Sequence, residues 1–464
     1  MTFFRLWVRA PRMRISSIER WCRLRWRCCQ TCYYNDFSSP PYQRPTGRSD
    51  TRSGCMHGRE FTSMSTSSAS SSRMSAPELR ATVSLASVFA LRMLGLFMIM
   101  PVFSVYAHTI PGGDDTVLVG IALGVYGVTQ AALYIFYGWL SDRIGRKPVI
   151  VAGLVIFALG AAVAALADTI HWIIVGRALQ GAGAISSAVL ALIADLTREH
   201  HRTKAMAMVG GSIGVSFAVA IVGAPVLYAV IGMSGLFAAI GVLSVLAIAV
   251  VLWIVPDPAS PPVHVKAPFA EVLHHRELLR MNFGVFALHA TQTALFVVVP
   301  RILVGAGLPV ASHWKVYLPV MALAFVLMVP AIIAAEKRGQ MKAVMLSGIV
   351  AILIGQLALS QVGHAMMAVA ALLLVYFTGF NVLEASQPSM VSKLAPGTRK
   401  GAAMGVYNTT QALGLALGGV MGGWLLKLHG DASVFLACSV LVFAWLIIAA
   451  PMRVPSPAGS RGAH

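Results

Sequence analysis

The chain has 464 residues, of which only 11% are Asp, Glu, Lys or Arg while 57% are hydrophobic, a balance that excludes a soluble globular protein with a charged surface. The formal net charge is +19, but 14 of the 36 basic residues fall before position 81 and nearly all the others sit in short connections, so the excess reflects membrane topology and no nucleic-acid partner is expected. Five of the six cysteines precede the first apolar run, and although Cys29 and Cys32 have CxxC spacing, neither a disulfide framework nor a zinc site follows.

Residues 1–73 hold thirteen Arg and no Lys, with scattered Trp and Ser and no helical or strand periodicity, so no packed structure is expected there. An Arg-rich, acid-poor leader has the composition of a targeting segment. The cleaner start MSAPELRATVSLASVFALRML at Met74 favours an over-extended start codon instead. Recovery of a peptide containing Trp21 or Trp26 from the purified protein would refute that expectation.

Crossing about 30 Å of hydrocarbon takes about 20 mostly apolar residues as a helix, and runs of that length recur after Met74. The spans fall near 84–107, 117–137, 148–167, 171–193, 205–229 and 234–255. A polar linker over 256–279, with four prolines between 256 and 262, separates them from a second set near 280–304, 315–335, 341–360, 365–390, 402–426 and 432–451. The expected organisation is therefore an all-α membrane protein with twelve transmembrane helices in two six-helix bundles, 74–255 and 280–451, followed by a short tail, 452–464.

Alternate connections differ sharply in basic residues. One set carries Arg143, Arg146 and Lys147; Arg198, Arg202 and Lys204; Lys266, Arg276 and Arg280; Lys337, Arg338 and Lys342; and Lys393, Arg399 and Lys400. The other carries only Arg301, Lys315 and Lys427. Short basic loops resist translocation, so both termini and the linker are expected in the cytoplasm.

The two halves resemble each other in their loops, as an internal duplication requires. Asp142, Arg143 and Gly145 after span 2 align with Glu336, Lys337 and Gly339 after span 8, and RTKAMAMV from Arg202 aligns with RKGAAMGV from Arg399. The connection GWLSDRIGRKPV from Gly138 is the strongest signal in the chain. Small Gly138 allows close helix approach, Gly145 permits a tight turn, and the alternating charges can pair across helix ends. Gly138, Asp142, Arg143, Gly145, Arg146 and Lys147 reproduce the GxxxDRxGRK loop, and the chain thereby resembles the major facilitator superfamily. Arg177, Gln180, Gly181 and Gly183 of GRALQGAGA in span 4 stand at a second family spacing, RxxQGxG. The GPxxGG signature of drug antiporters is met only in part, by Gly223, Ala224 and Pro225 in span 5.

The resemblance implies secondary transport by alternating access, with spans 1, 4, 7 and 10 lining a central cavity. It also implies that Asp195, at the end of span 4, contacts the basic side of the Asp142 loop. On that basis Asp142, Arg143, Arg146 and Asp195 are expected to form a latch that holds the outward-facing state and releases spans 2 and 11 when a carboxylate is protonated.

Charged groups inside hydrocarbon are costly unless they face a cavity or a partner, so each is a functional candidate. They are Arg92 in span 1, Arg177 in span 4, His289 in span 7 and Glu384 in span 10. His289 lies nine residues after Arg280 and Glu384 nine before Lys393. At about 1.5 Å per residue both sit roughly 13 Å deep, near the midplane. Either is a carrier for a coupling proton, with Glu384 ranked first. The bland alternatives are a hydrogen-bonded helix histidine and a structural carboxylate. Arg177 is a candidate to tune the proton site or simply to pair with polar groups, and Arg92 is a substrate contact or a counter-charge to loop carboxylates. Tyr126, Gln130, Gln180, Asn381, Asn408 and Gln411 complete the cavity candidates, with helix packing favoured for Asn408 in the Gly-rich run of span 11.

These features lead to proton-coupled efflux of small amphipathic or drug-like molecules, with proton-linked uptake of a nutrient as the alternative. No HExxH stands in a span and GxxxxGK[ST] is absent, which disfavours an intramembrane enzyme and ATP as the energy source. The expected partners are protons, a small-molecule substrate and the bilayer, with no cofactor or metal, and the chain is expected to act as a monomer.

Overall fold

A computed structural model describes residues 74–183, 185–257, 269–363, 365–395 and 400–453. The N-terminal stretch, most of the linker with Lys266, the connection holding Arg399 and the tail from 454 lie outside the described residues.

The described chain is a succession of long apolar helices with no strand among them. Span 1 runs Ala76–Phe97 and, past Met98 and Ile99, continues as Met100–Tyr106 with Pro101 in its first turn. It starts earlier than hydropathy suggests, because Ser75 and Glu78 form a capping box that satisfies the first backbone N–H groups. Span 2 is Thr116–Ile144 and span 3 is Arg146–Ala165. The Gly138 segment, expected as a loop, is thus mostly the last two turns of span 2. Only Gly145 breaks the helix, at φ 100°, a conformation that favours glycine.

Span 4 is divided into Ile170–Ala182 and Ser186–Leu196. Spans 5 and 6 form one helical run, Glu199–Trp253, interrupted only at Gly232, where φ is 67°. A straight helix of that length would extend about 80 Å, more than twice the hydrocarbon thickness. The chain instead reverses at Gly232. The pairs Arg198 to Glu78 and Asp257 to Lys147 hold both ends of the run beside the Asp142 end of the molecule.

A short helix, Phe269–His274, stands within the expected linker, and span 7 begins directly afterwards as Arg276–Gly305. The remaining spans are Trp314–Arg338, Met341–Val362, Met366–Leu394, Lys400–His429 and Asp431–Ala449. Among the described residues, with the run reversing at Gly232 taken as two crossings, the count is six and six. Within the first bundle, Ser212 and Ser216 of span 5 donate to the carbonyls of Ala86 and Ala90, and Ser244 of span 6 donates to Leu154 of span 3.

The bundles meet along a seam of small residues. A Cβ on Gly120, Gly124 or Gly127 of span 2 would stand 2.2, 2.6 or 2.3 Å from the carbonyl oxygen of Gly419, Ala416 or Ala412 on span 11. The opposite flank of span 11 is equally close to span 7: a Cβ on Gly414 or Gly418 would be 2.4 or 2.1 Å from the carbonyl oxygen of Phe286 or Ala290. Span 11 is thereby wedged between span 2 of the first bundle and span 7 of its own, at a backbone approach that larger residues would prevent. The seam is clasped at the end remote from Asp142, where Lys427 pairs with Asp115 at 3.0 Å and the Thr116 hydroxyl donates to Gly423. It loosens toward the Asp142 end. A Cβ on Gly405 or Gly401 would meet nothing within 4 Å.

Candidate functional site

Span 7 carries His289 to the centre of the molecule, where it is 1% exposed. Its Nδ1 lies 3.0 Å from the carbonyl oxygen of Val285, one turn back on the same helix. That partner assigns the proton to Nδ1 and leaves a lone pair on Nε2. The Gln411 amide nitrogen of span 11 stands 2.6 Å from that lone pair, in position to donate. The Glu384 carboxylate of span 10 approaches the same Nε2 at 3.5 Å, and its Oε2 has no hydrogen-bond partner among the described residues. The equal depths read from Arg280 and Lys393 thus correspond to contact. The sequence reading grouped Gln411 with the cavity but not with this pair, because hydropathy carries no information on which face of span 11 points inward.

Around this triad the first bundle supplies Gln130, and span 11 supplies Asn408. A cavity of about 20 Å³ lies between Gln130, His289, Asn408, Gln411, Phe97 and Leu415. The Asn408 amide donates to the Tyr134 hydroxyl across the seam at 2.9 Å, so it joins the two bundles as well as bordering the cavity. Asn381 is buried one turn from Glu384, with Nδ2 unpartnered.

On the clasped side of the triad stands an aromatic layer. Phe217 of span 5 enters it from the first bundle, with its ring centroid 5.0 Å from Phe97, 5.2 Å from Phe380, 6.0 Å from Phe377 and 6.4 Å from Phe296. Phe380 is in turn 6.1 Å from the His289 ring. A polar layer is therefore roofed by an apolar one, and the roof lies between it and the clasp.

Arg92 and Arg177 occupy a different place. They flank Tyr126 inside the first bundle, with guanidinium carbons 5.8 and 4.9 Å from the ring centroid. Arg92 donates to Ser186 at 2.8 Å and makes none of the ion pairs found with loop carboxylates. Arg177 donates to Gln180 at 2.8 Å and to the carbonyl of Ala122 at 3.4 Å. The structure does not bring Arg177 to the His289–Glu384 pair. The motif glycines of span 4 act in packing: a Cβ on Gly181 would lie 2.2 Å from the carbonyl oxygen of Tyr126, and one on Gly183 2.5 Å from that of Gly153.

The Asp142 cluster also lies wholly in the first bundle. Arg146 bonds Asp142 and Ser141 on span 2 and reaches Asp195 of span 4 at 3.0 Å, while Lys147 pairs with Asp257 at 2.7 Å. Arg143 stands apart, stacked 4.2 Å over Trp139. Gly138 faces Ser187, whose hydroxyl donates to the carbonyl of Tyr134. This network is complete in a conformation whose remote end is clasped. A neighbouring tie lies outside the sequence expectations: Glu78 receives the Arg198 backbone N–H at 2.9 Å and its Nε at 2.8 Å. The spacing Ser75 to Glu78 was the available signal, since it marks a helix start.

These features define a secondary-transporter architecture, and the Major Facilitator Superfamily family model matches residues 85–419 and 336–463. The chain belongs to that family, and it is a multi-pass membrane transporter rather than an enzyme. It is 45% identical to the inner membrane transport protein YajR of Escherichia coli strain K12 over 388 residues, 82% of this chain and 85% of YajR. It is 28% identical to the multidrug resistance protein MdtH of Yersinia enterocolitica over 72% of this chain and 83% of MdtH. Among solved structures, a bacterial homolog of the human lysosomal transporter Spinster superposes with a TM-score of 0.65 at 14% identity, covering 81% of this chain and 98% of that one.

Proposed function

We propose that the protein is a proton-coupled exporter of small amphipathic molecules, working from the bacterial inner membrane as a monomer with its basic loops in the cytoplasm. The observation that carries this reading is the convergence of His289, Glu384 and Gln411 on one point midway through spans 7, 10 and 11. A proton arriving on Nε2 turns that atom from acceptor to donor. The Gln411 amide, which donates to it, must then rotate to present oxygen, or the new N–H must turn to Glu384. Either rearrangement is felt by span 11, which packs against both bundles. Protonation is thereby coupled to the seam that must open for alternating access.

The aromatic roof offers an apolar surface to cargo, and the relatives named as multidrug resistance proteins favour export over uptake. With the basic loops in the cytoplasm, the clasp lies on the periplasmic side and closes the seam there. The deciding experiment is flux of a lipophilic dye panel from proteoliposomes under an imposed pH gradient. Gradient-driven flux is expected to fall at least tenfold in Glu384→Gln. Flux that ignores the gradient in the unaltered protein would end the proposal.

A further inference from the structure

Two cations are buried in the first bundle without a carboxylate. Arg92 is 2% exposed and Arg177 is 1% exposed. Arg92 uses one N–H on Ser186, leaving Nε and Nη2 without an acceptor, and Arg177 leaves Nη2. The Tyr126 hydroxyl between them and the Gln180 amide nitrogen are likewise unpartnered. The nearby carboxylates that form ion pairs serve other groups: Glu78 holds Arg198, Asp114 meets His108, Asp115 holds Lys427, Asp142 and Asp195 hold Arg146, and Asp257 of the linker holds Lys147.

An arginine does not shed its proton to escape such a setting, so a buried guanidinium calls for an acceptor. The unpartnered groups of these residues are three N–H positions on two cations, a hydroxyl and an amide N–H. This donor excess suits an anion. Gln130 stands one turn from Tyr126 on span 2 and borders the central cavity, and Phe97, on the same helix as Arg92, belongs to the aromatic layer. A molecule with its head among the arginines therefore has an apolar wall for its body.

Building on the transporter reading above, we infer that Arg92, Arg177, Tyr126 and Gln180 receive the anionic head of the cargo. The transported molecules are then amphipathic carboxylates or phosphates rather than lipophilic cations. Both guanidinium carbons lie within 6 Å of the Tyr126 ring centroid, so the two cations gather about one aromatic ring.

The test is thermal unfolding of the purified full chain in detergent, with benzoate, phenyl phosphate, benzyl alcohol and benzylamine at equal ionic strength. Benzoate and phenyl phosphate are expected to raise the melting temperature, and the alcohol and amine are not. Arg92→Gln and Arg177→Gln should each raise the apparent dissociation constant for benzoate at least tenfold, with Lys at either position losing less. Tyr126→Phe keeps the ring and should weaken binding about threefold, so a readout survives if an arginine variant folds poorly. Equal benzoate shifts in all of these proteins, or stabilisation by benzylamine as strong as by benzoate, would overturn the assignment. Stabilisation by phosphatidylglycerol with none by benzoate would assign the site to a lipid head and overturn it too. No gradient enters the measurement, so its outcome is separate from that of proton coupling.

Discussion

His289 has a single lone pair, and in the described conformation Gln411 occupies it. Gln411→Leu removes that donor and leaves a buried ring nitrogen unsatisfied, at a cost of about 1–3 kcal/mol. The variant is expected to melt several degrees lower and to lose most gradient-driven flux, as read by thermal unfolding and proteoliposome assay. The candidate residues themselves were legible because charges are so rare in these spans. Their grouping was only half legible. Arg92, Arg177, His289 and Glu384 all fall on the four spans expected to line the cavity, yet the fold divides them into two separate pairs. Depth along a helix can be counted from the loop charges, which is why His289 met Glu384 as expected. Rotation about the helix axis cannot be counted in the same way, and rotation is what turned Arg177 toward Tyr126.

Span 11 has small residues on two flanks, and each flank accommodates a neighbour's backbone. Gly423→Val would set a side chain where even a Cβ lies 2.1 Å from the carbonyl oxygen of Thr116. Overpacking of this kind costs about 1–3 kcal/mol, enough to displace a two-state equilibrium five-fold or more. Cysteines placed near the clasp should accordingly label several times faster in this variant. At the other end of span 2, Asp142→Asn weakens the tie through Arg146 to Asp195. It is expected to lower flux severalfold while membrane insertion is retained, and full activity would remove the cluster from the mechanism. The turn at Gly145 was readable in the sequence because a glycine flanked by charges signals a break. The helical character of residues 138–144 was not, since hydropathy treats polar residues as loop while the backbone hydrogen bonds simply continue past the apolar region.

The clasp between Asp115 and Lys427 ties the two bundles together at one face of the molecule. The Lys427 ammonium, with help from the Val117 N–H, holds the Asp115 carboxyl below the usual carboxylate range. A depressed acid contributes fully above its unfolded value of about 3.9 and loses that contribution as the pH falls through the folded value. The melting-temperature difference between the unaltered protein and Asp115→Asn should therefore be constant from pH 8 to pH 5 and close only in stronger acid. A difference that vanished near neutrality would show that the pair is not formed. At this scale the six-and-six plan was legible from run lengths and loop charges alone. The clasp itself was not, because its residues are 312 positions apart, one capping span 2 and the other in the last turn of span 11.

The reversal at Gly232 has a bearing on how the chain enters the bilayer. Two crossings that share one helical run, with a single residue between them, leave no polar loop to mark where the first ends and the second begins. The segment from Glu199 to Trp253 therefore turns back on itself with no polar stretch between its two legs. A side chain at residue 232 would strain that positive-φ, extended-ψ conformation by about 1–3 kcal/mol, and its first symptom would be faulty biogenesis, visible as degraded protein before any defect in turnover.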